Sequence, residues 1–137
     1  TFVDDLTVID ADADKFTVYF PGGGAIEICD DLYRPAYDRD FSVTIGGVVW
    51  VDIMNPGVTK GSGLRVLADR LGLNPGQMMA FGDTYNDIEM LDEVYYSYAV
   101  SNAEQAVRDR ARFVTGSNDE YGVVSVIREV LSQRGGC

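Results

Sequence analysis

The sequence predicts an α/β protein in which a parallel sheet flanked by helices follows a smaller antiparallel α+β layer. Three observations carry that prediction. From about residue 57 onward, short apolar runs alternate with segments of helical spacing, the pattern of βαβ units. Before Pro56 the chain strings together β-type runs, with a hairpin signal between two of them. The run "MMAFGD", residues 78–83, ends in a carboxylate, at the strand end where open α/β sheets bind their ligands.

In chain order the expected elements begin with "LTVI" at 6–9 and "KFTVYF" at 15–20, both read as strands. "GAIEICDDLYRPAY" places apolar residues at 25, 26, 29, 32 and 33, a helical spacing, with Pro35 as its stop. "FSVTI" at 41–45 and "VVWVDIM" at 48–54 form a hairpin through the "IGG" at 45–47, and Val49, Val51 and Ile53 alternate as in a half-buried strand. "TKGSGLRVLADRLGL" sets Leu64, Val66, Leu67 and Leu71 on one helical face and stops at Gly72. A strand "QMMAFGD", a helix "NDIEMLDEV", a strand "YYSYAV", a helix "NAEQAVRDRA", a short strand "RFVTG" and a helix "GVVSVIREVL" complete the alternation. The texture changes near Pro56, so residues 1–56 and 57–137 are read as two parts.

Composition narrows the chemistry. The 137 residues carry 22 acidic against 11 basic side chains, a net charge of −11, which repels nucleic acid and anionic membranes and makes any anionic ligand depend on a local cation. There is no histidine, so Ser-His and Cys-His catalysis and a His-ligated zinc are excluded, and carboxylate, lysine and hard-metal chemistry remain. Cys29 and Cys137 have no metal spacing and no expectation of a disulfide. With no apolar run near 18 residues and no charged-then-apolar leader, the expectation is a soluble, reduced, cytoplasmic protein.

The candidate site is built around "MMAFGDTYNDIEML", residues 78–91. Helix capping explains part of it, because Thr84 with Asp87, or Asn86 with Glu89, satisfies a capping box. Capping leaves Asp83 without a task, and an unpaired carboxylate is a poor core residue but a good ligand for magnesium, which takes one or two carboxylates and bridges to phosphate oxygens. Lys60, one of two lysines, opens a helix after "NPGVT". By itself it reads as a solvated lysine. A cation at a helix N-terminus is mildly unfavourable unless an anion sits nearby, and with Asp83 it would clamp a phosphoryl group.

"NPGVTKGSGLRVLADRLGL", "MMAFGDTYNDIEML", "AVSNAEQAVRDRARFVT" and "NDEYGVV", in this order, resemble the C-terminal part of the haloacid dehalogenase superfamily, specifically Cof-type phosphatases with a large α/β cap. The resemblance covers about residues 48–131, and it implies a partial Rossmann-like core at 57–137 with the closing part of the cap at 1–56. It further implies that Lys60 holds the nucleophile and the phosphate, that Asp83 ligates magnesium, that Asn86 contacts the phosphate, and that Asp87 belongs to the metal site by ordering the groups around the ion. The implied activity is a magnesium-dependent phosphomonoesterase acting on small phosphorylated metabolites such as sugar phosphates.

The family's Asp-x-Asp nucleophile motif has one imitation here, Asp10 and Asp12 in "LTVIDADAD". Ala13 and Asp14 stand where the family has Gly-Thr, and "KFTVYF" continues as a strand, so an acidic turn is the preferred reading. Two alternatives follow: a non-catalytic binding module that keeps the metal site, and a capless phosphatase using Asp10 and Asp12 with Thr44 as its second motif. The preferred reading expects an open edge at "MMAFG", covered by a missing N-terminal segment or by a second copy in a homo-oligomer.

Overall fold

The computed structural model describes residues 4–10 and 12–134, and its two sheets are of opposite kinds. β1 (Lys15–Tyr19), β2 (Ser42–Gly47) and β3 (Trp50–Met54) make an antiparallel sheet in the order β1-β3-β2. Because side chains alternate across a strand, Val43, Ile45 and Val51 fall on one face, where they are buried against Ala25 and Cys29 of the covering helix. Lys15, Thr17, Ser42, Thr44 and Asp52 have the opposite parity: Thr17 and Thr44 stand directly across from Asp52 on either side.

The covering helix differs from the expected one. α1 (Ala25–Ile28) passes into a π-helical turn at Cys29–Tyr33 and then α2 (Arg34–Tyr37), with Pro35 inside the helical path. A proline cannot donate to the carbonyl four residues back and its ring collides with it. The wider turn, in which Arg34 N–H bonds the Cys29 carbonyl, lets the chain pass that obstacle and continue. Pro35 therefore bends the hydrogen-bond pattern where it was expected to end the helix.

"LTVI" is not a strand either. Leu6–Val8 is a single 3-10 turn, because the Asp5 carboxylate accepts from both the Thr7 N–H at 2.9 Å and its hydroxyl at 2.6 Å, a local alternative to a strand ladder. Asp10 and Asp12 are exposed and lie in no strand.

Beyond β3 the chain becomes α/β. β4 (Met79–Gly82), β5 (Tyr96–Val100) and β6 (Phe113–Thr115) are parallel neighbours in that order, linked by α4 (Ile88–Asp92) and α5 (Gln105–Arg110). One face buries Ala80, Leu91, Ala99 and Val107 in a common core. The other carries a ladder of Phe81, Tyr98 and Phe113 with ring centroids 5.3 and 5.0 Å apart. The chain's last described helix is α6 (Gly122–Arg134). Among the described residues β4 pairs on one side only, as the sequence led us to expect. No described helix is long and apolar enough to cross a membrane.

α3 (Lys60–Leu71) corrects a further expectation. Of the four residues assigned to a buried face, only Leu64 packs against the core, while Val66, Leu67 and Leu71 are 54%, 52% and 61% exposed. Gly61 and Ala68 are the buried positions. The reason is a close approach: a Cβ on Gly61 would lie 2.8 Å from backbone atoms of Glu89, so α3 meets α4 through its smallest residues and turns its branched ones outward. The start of α3 is fixed by a reciprocal capping box, with the Ser62 N–H donating to Thr59 Oγ1 at 3.1 Å and the Thr59 N–H donating to Ser62 Oγ at 2.9 Å. Thr59→Ala is expected to lower stability by about 1 kcal/mol in urea denaturation, while Thr59→Ser retains the cap.

Candidate functional site

The site forms where β4 ends and the chain turns into α4. Gly82 closes the strand because a Cβ there would stand 2.7 Å from the Asp87 Cβ, so no other residue lets Asp87 fold back over the strand end. Asp87 is 3% exposed. Its Oδ2 accepts the Asp83 N–H at 2.9 Å and the Thr84 N–H at 3.2 Å, and its Oδ1 accepts from the Lys60 ammonium. The capping reading is therefore correct for Asp87, and both of its oxygens are engaged.

Lys60, at the first position of α3, also donates to Asn86 Oδ1 at 3.3 Å. That same oxygen accepts the Thr84 hydroxyl at 2.9 Å, which orients the carboxamide and leaves the two N–H bonds of its nitrogen for another acceptor. Lys60 and Asn86 line one cavity of about 410 Å³, together with Tyr85 and, from the antiparallel sheet, Lys15, Thr44 and Asp52.

Asp83 behaves differently from Asp87. Its backbone carbonyl accepts the Glu104 N–H at 2.9 Å, but its side chain is exposed and pairs with no cation among the described residues. Partial burial and the neighbouring Asp87 carboxylate push the Asp83 carboxyl above its ordinary range. At Asp87 burial pushes upward too, but Lys60 and the two backbone N–H groups outweigh it and hold that carboxyl below the usual range. Thus Lys60 donates to both Asn86 and Asp87, and Asp83 stands beside them as a carboxylate whose one side-chain partner among the described residues is the Thr84 hydroxyl at 3.5 Å. No group of three or more metal-ligating side chains occurs among the described residues. One free carboxylate suits magnesium, which keeps most of its waters, better than a metal needing a full protein cage.

Arg34, Thr44 and Asp52 also line the cavity and were not candidates for this role in the sequence. Thr44 was considered only as a motif of a capless enzyme, and that reading fails: Thr44 lies in an antiparallel strand and "LTVI" is outside the parallel sheet.

A parallel sheet with an exposed carboxylate at a strand end, beside a lysine at a helix start and the carboxamide it bonds, is an α/β arrangement with its polar groups gathered at the carboxyl ends of the strands. The family model for haloacid dehalogenase-like hydrolases matches residues 2–127, and the chain belongs to that family. It is 43% identical over 81 residues to a 5-amino-6-(5-phospho-D-ribitylamino)uracil phosphatase of Escherichia coli, covering 59% of this chain and 30% of that one. A phosphoglycolate phosphatase of Methanothermobacter thermautotrophicus is 32% identical over 102 residues, covering 74% of this chain and 46% of that one. The crystal structure of a protein from Eubacterium rectale superposes with a TM-score of 0.74 at 40% identity, covering 93% of this chain and 48% of that one. The chain thus spans about half or less of the length of these relatives.

The two aspartates should respond oppositely to neutralisation. Asp83→Asn removes a carboxylate repelled by its neighbour and is expected to raise the metal-free denaturation midpoint. Asp87→Asn takes the charge from a buried, fully bonded group and is expected to cost about 2–3 kcal/mol, at the low end for a buried pair because Lys60 keeps contact with solvent. Asp87 has a depressed folded value, so its contribution is complete above the unfolded pKa near 4 and fades as pH falls through the folded value. The gap between the native chain and Asp87→Asn should therefore close in acid, as urea melts between pH 7 and pH 3 would record.

Proposed function

We propose that this chain supplies the phosphate- and metal-binding part of a magnesium-dependent phosphomonoesterase acting on small phosphorylated metabolites, sugar phosphates among them. The observation that carries the reading is the convergence of Lys60 and Asn86 on one cavity, with the exposed carboxylate of Asp83 outside its lining but tied to the same turn through Asp87. In this reading residues 1–56 are the closing part of a cap, and residues 57–137 belong to the catalytic core. The phosphatase names of the relatives support the reaction class.

Lys60 would hold a phosphoryl oxygen by charge, with Asp87 fixing the direction of its ammonium. Asn86 would donate its amide N–H bonds to a second oxygen. Asp83 would be the residue that holds magnesium; Asp87, whose oxygens are engaged, would order the surroundings. Magnesium, when bound, would supply positive charge to the phosphoryl oxygens.

Covalent transfer requires a carboxylate nucleophile, which these described residues do not place at the β4 end. The open side of β4 is the position for a further parallel strand to present one, from a longer form of the polypeptide or from another chain. The 137 residues alone are then expected to hydrolyse p-nitrophenyl phosphate at the buffer rate. Adding whatever N-terminal region the gene encodes should give magnesium-dependent turnover that Lys60→Ala or Asp83→Ala removes. Turnover by the 137 residues alone would overturn the need for an external nucleophile, and inactivity at every length would favour a non-catalytic binding module.

A further inference from the structure

Both backbone polar groups of Asp83 are engaged. Its N–H donates to Asp87 Oδ2 at 2.9 Å, and its carbonyl accepts the Glu104 N–H at 2.9 Å from the turn that follows β5. With the peptide units on either side held, the direction of the Cα–Cβ bond is fixed and only the side-chain torsions remain. The side chain itself meets only the Thr84 hydroxyl among the described residues, at 3.5 Å, so the backbone is what aims this carboxylate.

The turn that supplies the Glu104 N–H is braced from three directions. Ala103 is buried and closes the turn onto β5 by donating its N–H to the Val100 carbonyl at 2.9 Å. Arg108 reaches back from α5: its Nη1 donates to the Ser101 carbonyl at 3.2 Å and to the Ala103 carbonyl, and its Nη2 donates to Gln105 Oε1 at 2.6 Å. Asn102 reaches sideways to the loop after β6, with Nδ2 donating to Asn118 Oδ1 at 2.7 Å and Oδ1 accepting the Asn118 N–H at 3.1 Å. The carboxyl ends of β4, β5 and β6 are thereby tied in a row. Neither side chain is a core residue, since Asn102 is exposed and Arg108 half-buried. Nor does α5 need them to start, because the Val107 and Arg108 N–H groups both reach the Glu104 carbonyl, at 3.0 and 3.1 Å. What they fix is the place of the Glu104 N–H relative to β4, and with it the backbone of Asp83.

We propose that Asn102 and Arg108 are positioning residues for a cation at Asp83, acting through the Ser101–Glu104 turn on the Asp83 backbone. This rests on the reading of Asp83 as the residue that holds magnesium. A ligand whose direction is set before the ion arrives loses less motion on binding, and groups that orient a metal ligand commonly alter affinity by about 10–100-fold. The sign of the effect separates positioning from plain electrostatics. Removing the positive charge of Arg108 by itself favours a nearby cation, whereas loosening the turn disfavours it.

The test is a titration of the isotopically labelled 137-residue chain with magnesium, followed by NMR at constant ionic strength and well below the denaturation midpoint of each variant. In the native chain the amide signals of Asp83 and Thr84 are expected to move saturably, and Asp83→Asn should abolish that response. Asn102→Ala and Arg108→Met should each weaken magnesium affinity about threefold to tenfold, a modest loss because Asp87 still holds the other side of Asp83. Arg108→Lys keeps a cationic donor within reach of the turn and should recover part of that loss. Arg110→Met, on the same helix, removes an equal charge and the ion pair with Asp92 but no bond to the turn, and should bind magnesium as the native chain does or more tightly. A purely structural brace would lower the melting temperature of Asn102→Ala and Arg108→Met and leave the affinity of the folded chain unchanged. Affinity unchanged or raised in either variant therefore overturns the positioning role while leaving the cation site standing. If magnesium does not bind, or binds Asp83→Asn equally well, the cation reading fails and the positioning role falls with it.

Discussion

The Asp87 carboxylate holds the site together because it is the one group bonded to all three of its parts. It takes the N–H groups of Asp83 and Thr84 at the end of β4, the ammonium of Lys60 at the start of α3, and is itself the residue that leads into α4. A carboxylate this deeply buried would be strongly unfavourable alone, and its partners offset that cost only while every one is in place. The same bonds decide the chemistry of its neighbour. One ammonium faces two carboxylates and Lys60 is committed to Asp87, so the proton affinity of Asp83 is raised by partial burial and by the neighbouring Asp87 carboxylate.

That hub exists only because two glycines leave room for it. Gly82 lets the Asp87 side chain lie over the strand end, and Gly61 lets the first turn of α3 press against the backbone of Glu89. Together they bring Lys60 from one helix and Asp87 from the next within bonding reach across 27 residues of sequence. The price falls on α3, whose bulky apolar residues Val66, Leu67 and Leu71 are left facing outward while Ala68 and Gly61 take the contact.

The alternation of strands and helices after residue 57 was legible because each βαβ segment has its own period and its own stop signals, and the hairpin at 42–54 was legible from the parity of Val51 and Ile53, although its turn falls at Val48 and Val49 and not at the "IGG" of 45–47, which belongs to β2. The misreadings all have one physical origin, which is a local interaction overriding a periodic pattern. Asp5 captured Thr7 and turned "LTVI" into a 3-10 turn, a π-helical turn carried the chain past Pro35, and a close backbone contact at Gly61 rotated α3 away from its most hydrophobic face. At the site, Lys60 and Asp83 were named from helix-start and strand-end logic and Asn86 and Asp87 from the family resemblance, but the way the carboxylates divide their work was not legible. Which aspartate pairs with Lys60 depends on the direction of a side chain at a turn, and no spacing encodes that. The row of Thr17, Asp52 and Thr44 was hidden for a related reason: the parity placing them on one face is visible, but only the fold tells whether that face meets water or a cavity.

The two sheets meet at the cavity through a short, tied connection. β3 ends at Met54 and α3 begins at Lys60, so Asn55–Thr59 is all that separates the strand carrying Asp52 from the helix carrying the lysine. That connection is bonded at several points: Gly57 N–H donates to Ser42 Oγ of β2 at 2.9 Å, Val58 N–H to the Asn55 carbonyl at 3.1 Å, and Thr59 closes the capping box of α3. β2 also touches the Tyr85–Asp87 turn, so the antiparallel layer is held to the site at a second place. A linker this short, with the N–H groups of Gly57, Val58 and Thr59 bonded, restricts how far Lys15 and Asp52 can move from Lys60 and Asn86. The spacing between the Lys60–Asn86 pair and the polar row of the antiparallel sheet is then set by the same few residues that cap α3, and the two walls of the cavity form one continuous surface.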